Sequence, residues 1–239
     1  MTTDGLKALW KLVFGDPDSF IDSFFAIAYS PDRCQYLVED GRIVSALYWF
    51  DCSYEGGKLA YIYAVATDPQ YRGKGLASRL MDRTHELLKA QGYAGTVLKP
   101  ANGLFPFYAR LGYETCGFIR RFQAESAAPI PIQELSSPQY AALRRKHLPE
   151  NGIVQEGLTL DFLHTFARFF SAKNAIFCIA REEPYFFEYL GDPQQAPGIL
   201  AALGVDQGLI PTPGAEIPFA MWHPLNCTRK PGYLGITLE

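Results

Sequence analysis

Residues 65–80 hold the groups best suited to chemistry. Val65, Ala66 and Thr67 end an apolar run, Asp68-Pro69 breaks it, and Arg72-Gly73-Lys74-Gly75-Leu76-Ala77 opens an amphipathic stretch. That order builds an anion site. The first N–H groups of a helix lack an intrahelical acceptor, and the helix dipole favours negative charge in front of them. Gly73 and Gly75 let the backbone approach a bulky polyanion without a Cβ between them. Arg72 and Lys74 add positive charge at the rim. The ligand this predicts is a pyrophosphate. A Walker loop needs four residues between its glycines, then Lys and Ser or Thr, and this run does not match it. A dinucleotide fingerprint needs a third glycine where Ser78 stands. Two readings remain: the pattern Arg/Gln-x-x-Gly-x-Gly/Ala, or a glycine-tempered turn that leads into an ordinary surface helix.

The loop must be held by a strand before it and a helix after it. Leu59 to Ala66 is rich in β-formers and too continuously apolar to be half exposed, so it reads as a buried strand. Leu76, Leu80, Thr84, Leu87 and Leu88 share one helical face, and Arg79, Asp82, Arg83 and Glu86 take the other. His85 is expected with the polar, solvated face. Gly92 is a C-cap, and Tyr93 to Leu98 reads as a strand reached by a crossover, which favours parallel pairing. Pro100 to Tyr113 then gives a short helix carrying Tyr108 and closing on Gly112 plus an aromatic. These two segments, in this order, resemble the two signatures of the GNAT family of N-acetyltransferases. The spacing of Pro100, Leu104, Phe107 and Tyr108 is similar to that of its Eis-like branch.

The resemblance implies an acetyl-CoA-dependent enzyme that acetylates a small-molecule or peptide amine. Val65, Ala66 and Thr67 would run beside the pantetheine arm, where two strands splay and leave backbone groups to pair with its amides. The N–H of Val65 is then a candidate donor to the thioester carbonyl. The loop Arg72, Gly73, Lys74, Gly75, Leu76 and Ala77 would hold the diphosphate. Tyr108 stands where the family carries its general acid, and a phenol with pKa about 10 keeps its proton at neutral pH. Packing among Phe105, Phe107 and Leu111 is the alternative role for that ring. Asn102 either caps the short helix or touches the cofactor. Many relatives place a Glu on the strand ending at Thr67, and this chain has Tyr61 and Tyr63 there. The base is then either a water chain or a carboxylate at Glu239, as in the Eis-like branch. The absence of the usual carboxylate also allows a non-catalytic acyl-CoA sensor or an interaction protein.

Composition bounds the rest. The 239 residues are 48% hydrophobic and 20% charged, with a net charge of −3, so no broad attraction to nucleic acid is expected. No apolar run is long enough for a membrane span, and the N-terminus lacks a signal pattern. Five scattered cysteines without CxxC spacing argue against zinc or any other metal and for a reducing, cytoplasmic setting. His147, His164 and His223 have no matching nucleophile or acid in the sequence. A homodimer is open. The expected fold class is α/β with an α+β mixed sheet. Residues 1–123 form the GNAT-like domain, with helices at Leu6–Phe14 and Ser19–Tyr29 (Asp18 or Ser19 as cap) and strands at 34–39 and 42–54. Ala124 to Pro131 reads as a linker. Residues 130–239 form a smaller α/β domain, either a degenerate GNAT-like repeat or an unrelated α+β module. Its expected elements are helices near 138–147, 159–171 and 193–203, with strands near 175–181, 185–190, 216–222 and 233–238.

Overall fold

The computed structural model describes residues 2–238. Two helices open the chain, α1 (Thr2–Phe14) and α2 (Asp18–Ile27), followed by strands β1 (Cys34–Glu39), β2 (Arg42–Tyr54) and β3 (Gly57–Thr67). Helix α3 (Leu76–Ala90), β4 (Gly95–Leu98), α4 (Phe105–Arg110) and β5 (Glu114–Glu125) complete the first half. The second half runs β6 (Gln133–Leu135), α5 (Ser137–His147), α6 (Leu158–Leu163), β7 (Ala167–Ala172), β8 (Ala175–Ala180), β9 (Phe186–Leu190), α7 (Ala196–Leu203), β10 (Gln207–Pro213) and β11 (Ile217–Pro224).

Seven strands form one mixed sheet in the order β1-β2-β3-β4-β11-β5-β10, and β6-β7-β8-β9 form a second, antiparallel sheet. Strands β3 and β4 are parallel, as the crossover through α3 requires. The large sheet therefore crosses the expected linker, since β10 pairs with β5, and β11 lies between β4 and β5.

Alternation along β2 and β3 explains why both read as continuous apolar runs. Tyr48, Phe50, Leu59, Tyr61 and Tyr63 face a core shared with α1, α2 and the second half. Leu47, Trp49, Ala60 and Ile62 face the opposite core, under α3 and α4. Both faces are covered, so no polar residue marks the period of two.

Several expectations need correction. Pro17 sits at the cap of α2 and makes no side-chain bond, so neither Asp18 nor Ser19 caps it. The helix expected over Thr159–Ser171 stops at Leu163, and Ala167–Ala172 is strand β7. Its aromatic pair Phe169 and Phe170 serves two opposite cores, which a strand permits and one helical face does not. Strand β10 is not among the expected elements, and it carries Pro211 and Pro213, which disfavour a strand. It lies at the sheet edge, where a missing N–H costs no ladder bond. Residues 233–238 are buried yet join no sheet, against the strand expected there.

Candidate functional site

The glycine loop is tied at its start. The Asp68 N–H donates to the Val44 carbonyl at 2.9 Å, and the Asp68 carboxylate accepts the Gln70 N–H at 2.9 Å. Arg72 Nε donates to the Thr67 carbonyl at 3.3 Å. Gly73 and Gly75 have φ of +78° and +72°, and an added Cβ at either would meet nothing within 4 Å. Backbone conformation, not crowding, therefore selects glycine here. The bond from the Arg79 N–H to the Gly75 carbonyl, 3.0 Å, opens the α3 ladder. The N–H groups of Leu76, Ala77 and Ser78 lie ahead of it and point out of the helix end. Arg72 and Lys74 are exposed beside them, with Lys74 Nζ 4.5 Å from the Tyr71 ring centroid. Backbone donors and two exposed cations thus stand together at one helix N-terminus, a donor set of the kind a diphosphate requires.

Next to the loop, β3 parts from β4. Their pairing covers Leu59–Tyr61 against Gly95–Val97 and goes no further. Leu98 has only β11 as its strand partner, through Met221, whereas Gly95–Val97 pair with β3 and β11 alike. From Ile62 onward, β3 keeps β2 as its strand partner and presents its other edge to a cleft. On the β2 side, Tyr63 pairs with Tyr48 and Ala66 with Ala46, so Ala64 and Val65 together oppose Leu47. This bulge holds Ala64 at φ +48°, a left-handed conformation that costs a non-glycine residue about 1–2 kcal/mol. A bulge re-aims the backbone groups beside it, here those of Val65. Ser45 fixes the segment beyond: its hydroxyl donates to the Ala66 carbonyl at 2.9 Å and lies 2.9 Å from Thr67 Oγ1.

The cleft has a volume of about 510 Å³. Val65, Leu98, Leu104 and Tyr108 line it on the side of the strand splay, and Trp10, Phe20 and Tyr63 line it from the α1–α2 side. Tyr108 is buried in α4, its ring 5.0 Å from Phe107 and 5.7 Å from Tyr113. Asn102 is exposed in the turn before α4. Leu104 occupies the cap position of that helix without a side-chain bond, so the capping role expected of Asn102 is not seen. No serine or cysteine lines the cleft among the described residues.

The tail at residues 233–238 runs to this cleft. Leu238 lines it. Three side chains from distant elements take alternate carbonyls of the tail. Arg144 Nη2 donates to Leu234 O at 3.0 Å, Gln155 Nε2 to Ile236 O at 2.8 Å, and the Tyr63 hydroxyl to Leu238 O at 2.9 Å. The tail is not a regular strand, since Gly235 at φ +74° turns it and the Ile236 N–H donates to Leu234 O at 3.0 Å, so side chains rather than a neighbouring strand satisfy these carbonyls. Arg144 is itself buried against Glu188, with Nε and Nη2 on the two carboxylate oxygens at 2.7 and 2.9 Å. Glu239, expected as a candidate base, lies outside the described residues.

His85 is not solvated. It is buried, stacked on His223 at 4.2 Å, and within 2.9 Å of the Tyr113 hydroxyl. Burial first, and the neighbouring His223 second, lower its pKa to about 3, so the ring is neutral at ordinary pH. With Met81 it joins Leu76, Leu80, Thr84 and Leu88 on the buried face of α3, and Leu87 packs partly buried against the same core. Burial also pushes the thiols of Cys34 and Cys116 up to about 12, which makes them poor nucleophiles. Among the described residues, no group of three or more His, Cys, Asp or Glu could hold a metal ion, and no helix is long and apolar enough to cross a membrane.

Residues 2–116 match the family model described as acetyltransferase (GNAT) domain. No curated protein matches the sequence. Among solved structures, the chain is similar to a GCN5-related N-acetyltransferase from Kribbella flavida, at 16% identity and TM-score 0.68, over 93% of this chain and 68% of that one. A GCN5-related N-acetyltransferase from Anabaena variabilis is similar at 14% identity and TM-score 0.70, over 93% and 70%. Eis1 from Mycobacterium abscessus is similar at 10% identity and TM-score 0.68, over 94% and 72%. At these identities the likeness is one of fold, and it spans both halves of the chain. Residues 2–116, with the glycine loop before α3 and the parted strands β3 and β4, form a GNAT acetyltransferase domain within this chain.

Proposed function

We propose that the protein transfers an acetyl group from acetyl-CoA to the nitrogen of a primary amine by direct attack, with both substrates bound together. The observation that carries this reading is the parting of β3 from β4 after Tyr61, inside the cleft that Tyr108 lines and directly before the glycine loop. Acetyl-CoA, when bound, supplies an activated thioester. The N–H groups of Leu76, Ala77 and Ser78, with Gly73 and Gly75 and the cations of Arg72 and Lys74, hold its diphosphate. Ala66 and Thr67 stand beside its amide-rich arm. Asn102, at the rim before α4, is a further cofactor contact.

The Val65 N–H, re-aimed by the bulge at Ala64, is the donor to the carbonyl oxygen as that oxygen gains charge. Such a donor lowers the barrier by about 3 kcal/mol. The amine attacks, its N–C bond forms and the C–S bond breaks. The carboxylate at Glu239, next to the cleft-lining Leu238, takes the ammonium proton. The Tyr108 hydroxyl gives its proton to the departing thiolate. Among the described residues no serine or cysteine lines the cleft, which favours a single transfer over a covalent acyl-enzyme.

Calorimetry with acetyl-CoA tests the first step. Wild type is expected to bind, and an R72A/G75W variant to lose at least ~tenfold in affinity. Equal affinity of the two proteins would sink the loop assignment. Thiol release with a panel of amines tests the second step, and binding without release would leave a non-catalytic acyl-CoA sensor. Several residues appended after Glu239 are expected to cut turnover, and unchanged turnover would remove Glu239 from the mechanism.

A further inference from the structure

The wall of the cleft away from the glycine loop is aromatic, and one carboxylate stands in it. Trp10, Phe14, Phe20, Tyr63 and Phe166 supply rings, with Trp10 5.7 Å from Phe14, 5.7 Å from Tyr63 and 6.4 Å from Phe20, and Phe20 5.4 Å from Phe166. Asp16 lies among them. Its Oδ2 accepts the Trp10 indole N–H at 2.7 Å, which fixes the carboxylate against the rings. The nearby Lys11 spends its ammonium on the Asp16 backbone carbonyl at 3.0 Å and on the Asp18 carboxylate at 2.9 Å. The Asp16 carboxylate therefore keeps its charge for something else.

A second cleft, of about 610 Å³, opens from the same place and shares Asp16, Phe20 and Phe166. Its rim carries Glu182 and Glu183. The guanidinium of Arg181 lies in the same cleft and is directed to the His164 carbonyl, at 2.8 and 3.1 Å. A small cation approaching from this side meets three carboxylates and one guanidinium before it reaches the rings.

We infer that the acceptor is a monoamine with an aromatic or bulky apolar body, steered through the Glu182–Glu183 rim, its ammonium held by Asp16 and its body packed on Trp10, Phe20 and Phe166. Ring faces attract an ammonium, and a carboxylate beside them fixes its position. The same walls oppose a polycation. Glu182 and Glu183 stand only at the outer rim, so a second ammonium inside the cleft would lose its water against rings and beside Lys99, which lines the same cleft, at a cost of several kcal/mol per unpaired charge. A hydrophilic polyamine is thus excluded by the surface that favours an arylalkyl amine. This inference rests on the acetyl-transfer reading for the fate of the amine, but not for its capture.

Two measurements test it. Calorimetry with 2-phenylethylamine, spermidine and a lysine-containing tetrapeptide reads capture without turnover. Thiol release from acetyl-CoA with the same amines reads transfer. The expected result is binding and transfer with 2-phenylethylamine at least ~tenfold better than with spermidine or the peptide, by kcat/KM. Asp16→Asn keeps an acceptor for the Trp10 N–H and removes only the charge. It is expected to raise KM for 2-phenylethylamine at least ~tenfold while the Kd for acetyl-CoA stays unchanged. Equal or better use of spermidine or the peptide overturns the inference, as does an unchanged KM in Asp16→Asn. Capture of 2-phenylethylamine lost in Asp16→Asn, with no binding of acetyl-CoA, would support this inference and fail the transfer reading beneath it. Acetyl-CoA binding with no capture of 2-phenylethylamine would do the reverse.

Discussion

Replacing Arg144 by Met tests whether the second half holds the tail in place. Arg144 is 1% exposed and Glu188 0%. The guanidinium meets both carboxylate oxygens, and it also donates to Ile153 O at 2.8 Å and Leu234 O at 3.0 Å. Methionine keeps much of the volume and removes the charge and all the donors. Breaking one side of a buried pair leaves the other charge without compensation and costs about 3–5 kcal/mol. For a chain of this size each kcal/mol shifts Tm by roughly 2–4 °C, so the expected fall is about 6–20 °C. Adding Glu188→Leu removes the stranded carboxylate and should recover ~2 kcal/mol or more. Recovery stays incomplete because the Ile153 carbonyl and the Tyr140 hydroxyl lose their partners while buried, at about 1–3 kcal/mol each, whereas Leu234 O keeps the Ile236 N–H. Urea titration of wild type, single and double variants measures all three values, and amide exchange of residues 233–238 shows whether the tail loosens. A single variant within ~1 kcal/mol of wild type would refute the reasoning, because the pair would then hold nothing. So would a double variant less stable than the single.

Four shorter predictions follow from the same geometry. Tyr108→Phe should lower kcat by about 10²–10⁴ while acetyl-CoA affinity holds, read by thiol release and calorimetry; unchanged kcat would leave the ring a packing residue. Gly75→Ala meets no atom but must adopt φ +72°, so stability should fall by only about 1–2 kcal/mol, while acetyl-CoA affinity falls further as the loop shifts. Tyr63→Phe removes the donor to Leu238 O and should cost about 1 kcal/mol in stability with a larger loss of turnover, measured on the same samples. His85 has a folded pKa of about 3, below its unfolded value, so the unfolded chain binds the extra proton between about pH 6.5 and pH 3. Stability therefore falls as pH drops through that window, by up to about 1.4 kcal/mol per unit, and His85→Gln should flatten the slope between pH 5 and 7 in urea titrations.

What the sequence made legible follows from how local each signal is. The loop at 72–77 and the helix after it announce themselves because glycine, charge and helical periodicity all act within a few residues of one another. Strands β1 and β2 match the expected bounds, and Asp40 and Gly41, at φ +51° and +75°, form the turn that their types suggest. The misses have long-range causes. His85 sits where a polar face was expected, and what buries it is His223, far along the chain. Residues 167–172 take strand form because two cores, not one, need their phenylalanines. The tail ladder has no sequence signature, since Arg144, Gln155 and Tyr63 share neither spacing nor motif and meet only through the fold.

The same distance governs how the cleft is made. Strand β4 is four residues long and has two neighbours. It pairs with β3 through Val97, and with β11 through Leu98. At the position where β3 turns away, β4 is still committed to β11, a strand contributed by the far end of the chain. Gly95 marks how closely these two strands meet, for a Cβ there would come within 2.7 Å of the His223 carbonyl oxygen. The gap beside Ile62–Thr67 therefore depends on the second half twice over. Strand β11 holds β4 aside, and the tail, fastened by Arg144, Gln155 and Tyr63, supplies Leu238 to the wall that results. A change confined to residues 130–238 can then alter the cleft without touching the glycine loop, because the part of the site that faces the acceptor is built from both ends of the sequence.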